Sequence, residues 1–315
     1  MENNSIGIIG GGQLCQMLSE YLDSIDKKVY FIDPSENPPA KSTNAIHIRK
    51  DYGDKEALEF LSKQCDAITY EFENIPVESL SFLNTDITIN PSPYILSISQ
   101  NRLNEKRNFT RCGISTPNFT SFNKGDDLVS VIEKSNINFP IILKTNTLGY
   151  DGKGQYRIDN REDAEHNLQH LDEKTDYIIE EVVNFKKEFS VIIGKDSFGN
   201  IEYFQPIENI HKNGILDISI YPARITKETE KNSIELATKF INEIKLTGIL
   251  AIEMFLNTND KILFNEIAPR PHNSGHLTIQ THSISQFGLL GDCLLYTSDA
   301  ADEGLGVDLG GRRII

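Results

Sequence analysis

The chain has 315 residues, of which 38% are hydrophobic and 24% charged, proportions typical of a folded protein that can bury more than one core. Its formal net charge of -15 opposes binding to nucleic acid or an anionic membrane, so a phosphate-bearing ligand would need a locally built cationic site. The cysteines lack paired spacing and no apolar run approaches the roughly 18 residues of a membrane span, so we expect a cytoplasmic protein without a zinc cluster or disulfide framework.

The first third of the sequence alternates predicted strands and helices. Strands are predicted at residues 6–9, 29–32, 67–70 and 87–89, and helices at about 14–22 and 95–112, the last closed by Gly113. This alternation predicts a doubly wound, Rossmann-like α/β domain over residues 1–113.

A glycine turn, residues 10–12, separates the first predicted strand from the first helix. With Asp33 after the second strand, it partly matches a dinucleotide-binding fingerprint. Cys15 occupies the third glycine position, where a side chain hinders close packing of helix on strand. We therefore favour a structural tight turn over an NAD site, with Gln13 able to point into a neighbouring substrate site.

Beyond Ile114 the pattern changes to strands separated by turn signals. Strands are predicted at residues 141–143, 177–181, 189–193, 201–204, 249–256 and 262–267, a hairpin loop at 196–200 and a helix at about 227–244. This part of the chain is predicted to be α+β, with largely antiparallel sheets.

A glycine-rich segment follows the predicted strand that ends at Lys144. Residues 147–155 read T-L-G-Y-D-G-K-G-Q, and its glycines let the backbone fold over phosphates while Lys144 and Lys153 supply positive charge. The order of a Walker loop is absent. The segment predicts a mobile phosphate lid, and a plain hairpin with solvated lysines is the alternative.

Two predicted neighbouring strands carry Glu253 and Glu266. If the connecting loop, residues 257–260, is even in length, Glu253 lies opposite Phe264 and shares a face with Glu266. Two carboxylates on an apolar face need a cation or basic partners, and oxygen ligands beside a phosphate site suit magnesium. The alternative is a solvated pair at a sheet edge.

The segment P-R-P-H-N-S-G-H, residues 269–276, contains two histidines at the spacing of a zinc-binding helix. Two prolines and Gly275 make a helix improbable, so zinc is disfavoured for His272 and His276. A rigid loop with imidazole, amide and hydroxyl groups suits recognition of a small polar ligand, and a purely structural loop is the alternative.

Taken together, these segments resemble the ATP-grasp superfamily. The resemblance rests on Lys144, the lid, E-E-V-V at 180–183, Glu253 and N-E-I-A-P-R at 265–270. Within the superfamily, the chain is most similar to the 5-(carboxyamino)imidazole ribonucleotide synthase family. This similarity rests on the lid sequence G-Y-D-G-K-G-Q, the P-R-P-H-N-S-G-H loop, the G-G-Q-L turn and Y-E-F-E-N at 70–74. The resemblance covers about residues 5–287. It implies an ATP-grasp fold after the Rossmann-like domain, with a lid subdomain at 114–183 and a catalytic, metal-binding subdomain at 184–288.

The resemblance also assigns roles to individual residues. The ATP phosphates would be held by Arg102, Lys144, Gly149, Gly152, Gly154 and Gln155. Adenine would meet Glu180 and Val183 with Glu181 and Val182 beside them, the ribose Glu188, and the nucleotide His211. Magnesium would be carried by Glu253 and Glu266 with Asn265. The catalytic residues would be Tyr150, Asp151 and Lys153, and the substrate pocket would be lined by Gln13, Glu71, His272 and Asn273.

The implied activity is an ATP- and bicarbonate-dependent carboxylation of 5-aminoimidazole ribonucleotide through carboxyphosphate, in purine biosynthesis. The family further implies small-molecule substrates and a homodimer. A related ligase, the formate-using glycinamide ribonucleotide transformylase, fits Tyr150-Asp151 and Asn273-Ser274 less well. An inactive nucleotide-binding fragment is the non-enzymatic alternative.

The resemblance ends near Phe287. The family continues there into a small C-terminal domain, which we predict to be missing from this chain. Residues 289–315, including the stretches 293–303 and 307–315, look like translated adaptor sequence and are predicted to be an artefactual tail.

Overall fold

A computed structural model describes residues 5–84, 86–147, 154–169, 171–172, 175–212 and 214–295. These residues form three β-sheets with helices packed against them. All four cysteines are buried and unpaired. No helix in this part of the chain combines the length and apolar character needed to cross a bilayer.

The first sheet is parallel, in the order β3-β2-β1-β4-β5. Its strands are β1 (Ser5–Ile9), β2 (Lys28–Ile32), β3 (Ile46–Ile48), β4 (Ala67–Tyr70) and β5 (Thr88–Ile89), and its helices are α1 (Gln13–Ser24) and α2 (Lys55–Gln64). Every residue of β1 is buried, as expected for a central strand covered on both faces. The Rossmann-like prediction is confirmed, although the short edge strand β3 was not predicted.

The predicted helix at 95–112 is in fact two helices, α3 (Pro93–Ser99) and α4 (Arg102–Arg111). Asn101 separates them, because its extended backbone ends one helix while its side chain accepts a hydrogen bond from the Asn104 amide and caps the next. Gln100 fixes the break by donating to the carbonyls of Glu73 and Ile75. Gly113 closes α4 as predicted, at a φ of 67°.

The second sheet is antiparallel, in the order β6-β9-β7-β8, and has its own apolar core. Its elements are β6 (Phe119–Asn123), α5 (Leu128–Lys134), β7 (Ile141–Thr145), β8 (Gln155–Ile158), α6 (Arg161–Leu168) and β9 (Asp176–Glu181).

The third sheet is also antiparallel and follows the order β13-β12-β10-β14-β15, with β11 paired to β10. Its elements are β10 (Phe185–Lys195), β11 (Ile201–Tyr203), β12 (Ile207–Lys212), β13 (Ile215–Ile220), α7 (Lys227–Glu243), β14 (Gly248–Asn257) and β15 (Ile262–Ala268), followed by α8 (Thr278–Thr281) and α9 (Gln286–Leu295). The predicted hairpin at 196–200 closes through the Asp196 amide to the Asn200 carbonyl, with Gly199 at a φ of 93°.

The last helix, α9, packs against α1 and buries Leu290 and Cys293. Asn90, next to β5, donates from its side chain to the Cys293 carbonyl at 3.3 Å. The tail predicted to begin at residue 289 therefore starts inside α9, and residues 296–315 lie outside the described residues.

A buried carboxylate, Glu208 on β12, gives a test of the third sheet. It accepts hydrogen bonds from Arg224 at 2.6 Å and from Lys187 at 2.6 Å. The bonds from Arg224 contribute most to lowering the pKa of Glu208 to about 2. Because Arg224 is largely exposed and its charge is screened, we expect Glu208→Gln to destabilise the protein by about 2 kcal/mol at pH 7.

The cost of Glu208→Gln should depend on pH. A carboxyl with a lowered folded pKa contributes stability above its unfolded pKa near 4.5 and loses it as the pH falls toward 2. Urea unfolding at several pH values should show the gap between parent and variant narrowing below about pH 4.5. Glu202→Gln, at an exposed position on β11, is the control. A gap that stays constant with pH would contradict the role given to this ion pair.

Candidate active site

A cleft of about 440 Å³ lies between the second and third sheets. Side chains from both sheets and from α4 reach it. The residues predicted to bind ligands that line it are Arg102, Lys144, Gln155, Glu180, Glu181, Val182, Val183, His211, Glu253, Asn265, Glu266, His272 and Asn273. The fold thus brings together most of the predicted ATP and metal residues that the structure describes, from strands separated by more than a hundred positions in sequence.

The floor of the cleft is a buried charge cluster made of two lysines and one glutamate. Lys144, at the end of β7, donates to Glu180 on β9 at 2.9 Å, and the Lys106 ammonium lies 3.5 Å from the same carboxylate. Burial acts to raise the pKa of Glu180, but the two lysines outweigh it and hold that pKa at about 2. The cluster fixes Lys144 at the cleft, where its charge suits a nucleotide phosphate.

One wall of the cleft is apolar and aromatic. Phe185 and Phe255 stack with ring centroids 4.9 Å apart, and Ile142 and Ile215 also line the cleft. Flat apolar surfaces of this kind suit a purine base. Val183 lines the same cleft, and its contact with adenine, implied by the resemblance, stays a prediction.

A β-bulge interrupts the pairing of β14 with β15, the two strands that carry Glu253 and Glu266. Ile252 pairs with Ile267 but Met254 pairs with Phe264, so both Asn265 and Glu266 fall opposite Glu253. The even loop that would pair Glu253 with Phe264 does not occur, because Leu256 pairs with Ile262 and Met254 with Phe264. Both carboxylates nevertheless line the same cleft, because the extra residue of the bulge, rather than an even loop, aligns them.

These side chains form a donor set that fits magnesium. Two carboxylates and an amide oxygen are hard oxygen ligands, beside a cationic site for phosphates. Arg102 donates to Glu266 at 2.8 Å, and Nε2 of His272 lies 3.2 Å from Glu253. Burial acts to raise the pKa of Glu266, yet Arg102 and then Lys144 lower it to about 2.

His211 and Glu188 form a pair beside Glu253. Nδ1 of His211 lies 2.8 Å from the Glu188 carboxylate, and ligand atoms of all three residues lie within 4.8 Å of one another. The hydrogen bond to Glu188 is the main cause that raises the pKa of His211. Burial raises the pKa of Glu188, and the nearby charges of Glu253 and Glu266 raise it further. Cations or hydroxyl donors would relieve this crowding of carboxylates.

The glycine turn at the start of α1 is closed by the protein's own carboxylates. The Gly11 amide donates to Asp33 at 3.0 Å and the Gly12 amide to Glu71 at 2.8 Å. Tyr52 donates to the same Asp33 carboxylate. These amides are the ones a pyrophosphate would need, and two carboxylates beside them would repel it. The arrangement supports the structural-turn interpretation over an NAD site.

The loop after β15 contains a short 3-10 helix (Asn273–Gly275) and no α-helix, as the prolines predicted. His272 is held by Gln286, which accepts from its amide and donates to its carbonyl, and Nδ1 of His272 lies 2.9 Å from the Ser274 hydroxyl. Arg270 pairs with Glu73 at 3.2 Å. The loop is therefore rigid and presents polar groups to the cleft.

The predicted substrate residues divide into two groups. His272 and Asn273 line the cleft, whereas Gln13 is exposed at the start of α1 and Glu71 contacts the glycine turn. Burial raises the pKa of Glu71, but Arg270 is near enough to oppose that rise. Glu71 is thus close to the Arg270 end of the cleft, and its contact with a substrate stays a prediction.

Most of the lid lies outside the described residues. This applies to Gly149, Tyr150, Asp151, Gly152 and Lys153, so their predicted roles stay predictions. At the end of the lid, Gly154 has a φ of 69° and Gln155 pairs with Lys144 across β7 and β8.

Sequence reasoning missed four charged residues at the site: Glu73, Glu105, Lys106 and Arg270. Glu105 and Lys106 lie in α4, whose sequence R-L-N-E-K-R-N-F-T-R suggests a solvated helix. The available signal was spacing, because Arg102, Glu105 and Phe109 repeat at i, i+3 and i+7 and mark one buried face.

Comparisons with known proteins match both parts of the chain to domain families. Family models match a ribonucleotide synthetase preATP-grasp domain at residues 3–100 and an ATP-grasp domain at 107–287. The Bacillus subtilis N5-carboxyaminoimidazole ribonucleotide synthase is 39% identical over 282 residues, which span 90% of this chain and 73% of that protein.

Two crystal structures are similar as well. The Staphylococcus aureus N5-carboxyaminoimidazole synthetase complexed with ADP has 37% identity and a TM-score of 0.87, over 93% of this chain and 78% of that one. The Aspergillus clavatus N5-carboxyaminoimidazole synthase, in complex with ADP and 5-aminoimidazole ribonucleotide, has 28% identity and a TM-score of 0.84, over 92% and 76%.

Proposed function

Because this chain belongs to the N5-carboxyaminoimidazole ribonucleotide synthase family of ATP-grasp enzymes, we propose that it carboxylates 5-aminoimidazole ribonucleotide. ATP would first phosphorylate bicarbonate to carboxyphosphate with release of ADP. The exocyclic amine of the nucleotide would then attack the carboxyl carbon, form the new carbon–nitrogen bond and release phosphate. The product is the N5-carboxyamino compound for which the relatives are named.

The cleft supplies the nucleotide-binding part of this reaction. Lys144 and Arg102 are proposed to hold phosphates and the Phe255 wall to hold adenine, since all of them line the same cleft. Glu188, bonded to His211, offers an acceptor for ribose hydroxyls. Because the side chains are fixed by ion pairs before ligand arrives, little ordering would be needed on binding.

Magnesium is proposed to bind Glu253, Glu266 and Asn265. When bound, it would neutralise the charge of the nucleotide phosphates. Arg102 donates to Glu266 and His272 lies beside Glu253, so the chain's own residues orient the two carboxylates.

The carboxyl-transfer part is assigned to the lid and the substrate loop. By resemblance, Tyr150, Asp151 and Lys153 orient bicarbonate and the amine, and the lid excludes water from the labile carboxyphosphate. His272 and Asn273 are proposed to face the ribonucleotide, and Gln13 and Glu71 are proposed to line the other end of the ribonucleotide pocket. Rigid anchoring of His272 by Gln286 supports a positioning role for this loop.

One observation carries the proposal more than any other. The β-bulge places Glu253, Asn265 and Glu266 in the same cleft as Lys144 and Arg102, which is the donor set that a metal–nucleotide complex requires. The similarity to a synthase that holds ADP and 5-aminoimidazole ribonucleotide supports the choice of substrate.

The experiment is an assay of phosphate release with single omissions. We expect release only when ATP, Mg²⁺, bicarbonate and 5-aminoimidazole ribonucleotide are all present, and a loss of signal when any one is left out. Formate with glycinamide ribonucleotide is the matched control and should give none. Release with that pair would favour the transformylase. If calorimetry shows that ATP binds but no condition gives turnover, the chain acts only as a nucleotide-binding module.

The setting of the reaction is also proposed. Four buried free cysteines fit a reducing compartment, which supports a cytoplasmic enzyme acting on small molecules. The homodimer implied by the resemblance stays a prediction.

A further inference from the structure

One face of α4 contacts β15, the bulged strand that carries Asn265 and Glu266 and is called the metal strand below. Arg102, Glu105 and Lys106 are spaced i, i+3 and i+4, so their side chains leave the helix on the same side. Arg102 donates to the Glu266 carboxylate at 2.8 Å. Glu105 accepts from the Ile267 amide at 2.7 Å, and Lys106 donates to the Asn265 carbonyl at 2.6 Å. Three consecutive strand residues, 265–267, are thus each held by one α4 residue.

Two of these bonds join α4 side chains to the backbone of β15, which is the last strand of its sheet. An edge strand carries N–H and C=O groups that have no strand partner. Here Glu105 and Lys106 satisfy the Ile267 amide and the Asn265 carbonyl on either side of Glu266. Both side chains are almost fully buried, with 2% and 1% of their surface exposed. Burying two ionisable side chains costs free energy unless each is hydrogen-bonded, as both are here.

Lys106 also connects the two sheets that form the cleft. Its ammonium contacts both the Asn265 carbonyl on β15 and, at 3.5 Å, the Glu180 carboxylate on β9. The Lys106 side chain therefore links the metal strand to β9, the strand whose Glu180 is proposed to contact adenine.

We infer that Glu105 and Lys106 are positioning residues, which hold the β15 bulge so that Asn265 and Glu266 can both serve the metal–nucleotide complex. This inference rests on the proposed function, since it concerns how the same site is built. Neither residue is proposed to bind the metal or the nucleotide itself. They act through the backbone on either side of Glu266, as outer partners of metal ligands do elsewhere.

The test uses two variants that separate reach from charge. Glu105→Gln keeps the length and an oxygen that can accept from the Ile267 amide, but it cannot ionise. Glu105→Asp keeps an ionisable carboxyl and is one methylene too short to reach that amide. ATP affinity is measured by calorimetry on the full chain, in Mg²⁺ and in EDTA, and the ratio of the two affinities gives the metal-dependent part of binding.

We expect Glu105→Gln to keep the parent ratio and Glu105→Asp to lower it about tenfold or more. A variant that is merely less stable would lower the amount of folded protein without changing this ratio, so thermal melts accompany each titration. If Glu105→Asp does not melt cooperatively, Lys106→Met, which lacks the donor to Asn265, takes its place with the same expectation.

A parent-like ratio in Glu105→Asp, or in Lys106→Met where that variant is used, would overturn the inference. So would loss of the ratio in Glu105→Gln with its retention in Glu105→Asp, because charge rather than reach would then matter. If the parent itself binds ATP equally in Mg²⁺ and in EDTA, the metal site of the proposed function fails, and the inference falls with it.

Discussion

Glu266→Gln is expected to abolish nearly all turnover while leaving the fold intact. Glutamine has the same shape and its amide oxygen can still accept from Arg102, which now donates to the carboxylate at 2.8 Å. What is lost is one of two negative charges facing the proposed metal site. Metal neutralisation of transferring phosphate contributes several kcal/mol, so we expect kcat to fall by about 100-fold or more.

The measurement is bicarbonate-dependent phosphate release over a range of Mg²⁺ concentrations, with a thermal melt of each protein. Glu235→Gln, at an exposed position on α7, is the matched control and should behave as the parent. Near-normal kcat in Glu266→Gln at ordinary Mg²⁺, with an unchanged melt, would remove Glu266 from the metal site. A collapsed melt would instead give it a structural role.

Glu180→Gln is expected to destabilise the protein by about 3–5 kcal/mol, because it removes the charge that two buried lysines share. Lys144 lies 2.9 Å and Lys106 3.5 Å from the Glu180 carboxylate, and all three are nearly inaccessible to solvent. Without that carboxylate the two ammonium groups repel each other; in the intact protein burial already lowers the pKa of Lys106, and Lys144 lowers it further. Denaturant unfolding at pH 7 would measure the loss.

The destabilisation should shrink under acid. The pKa of Glu180 is about 2 in the folded protein, so its contribution is complete above the unfolded value near 4.5 and is lost as the pH falls toward 2. Glu181→Gln, at the next residue on β9 where the side chain bonds Asn118, should cost less than about 1 kcal/mol.

A double variant separates charge repulsion from packing. Adding Lys106→Met to Glu180→Gln removes one of the two opposed ammonium groups, so the pair should be less destabilised than the sum of the single changes. Glu180→Gln as stable as the parent at pH 7 would mean that the cluster contributes nothing to the fold. Additive losses would mean that repulsion is not the cause.

Local patterns in the sequence predicted many of the secondary-structure elements. Short apolar runs predicted four of the five strands of the parallel sheet, and apolar residues at helical period predicted α1. Gly113 and the loop at 196–200 were found because each needs a backbone conformation that glycine or a tight turn favours. The lysine, glycine and glutamate motifs were specific enough to indicate a nucleotide site and its family.

The register of the metal strands was decided only by tertiary structure. A bulge shifts pairing by one residue, and nothing local in M-F-L-N or L-F-N-E distinguishes a regular ladder from a bulged one. The bulge is held from outside by Glu105 and Lys106, which are more than 150 residues away in sequence.

Long-range contacts also explain the other differences between what the sequence predicted and what the structure shows. No role was predicted for Glu105 and Lys106 in α4. Their partners lie on β9 and β15, in two different sheets, and only the assembled cleft makes their burial favourable. For the glycine turn, Cys15 already favoured a structural role, and the tertiary structure adds the bond from the Gly12 amide to Glu71, which follows β4. The sequence by itself determined which groups are available for chemistry, and long-range contacts determined which of them meet, because pairing of charges depends on distances that no local pattern encodes.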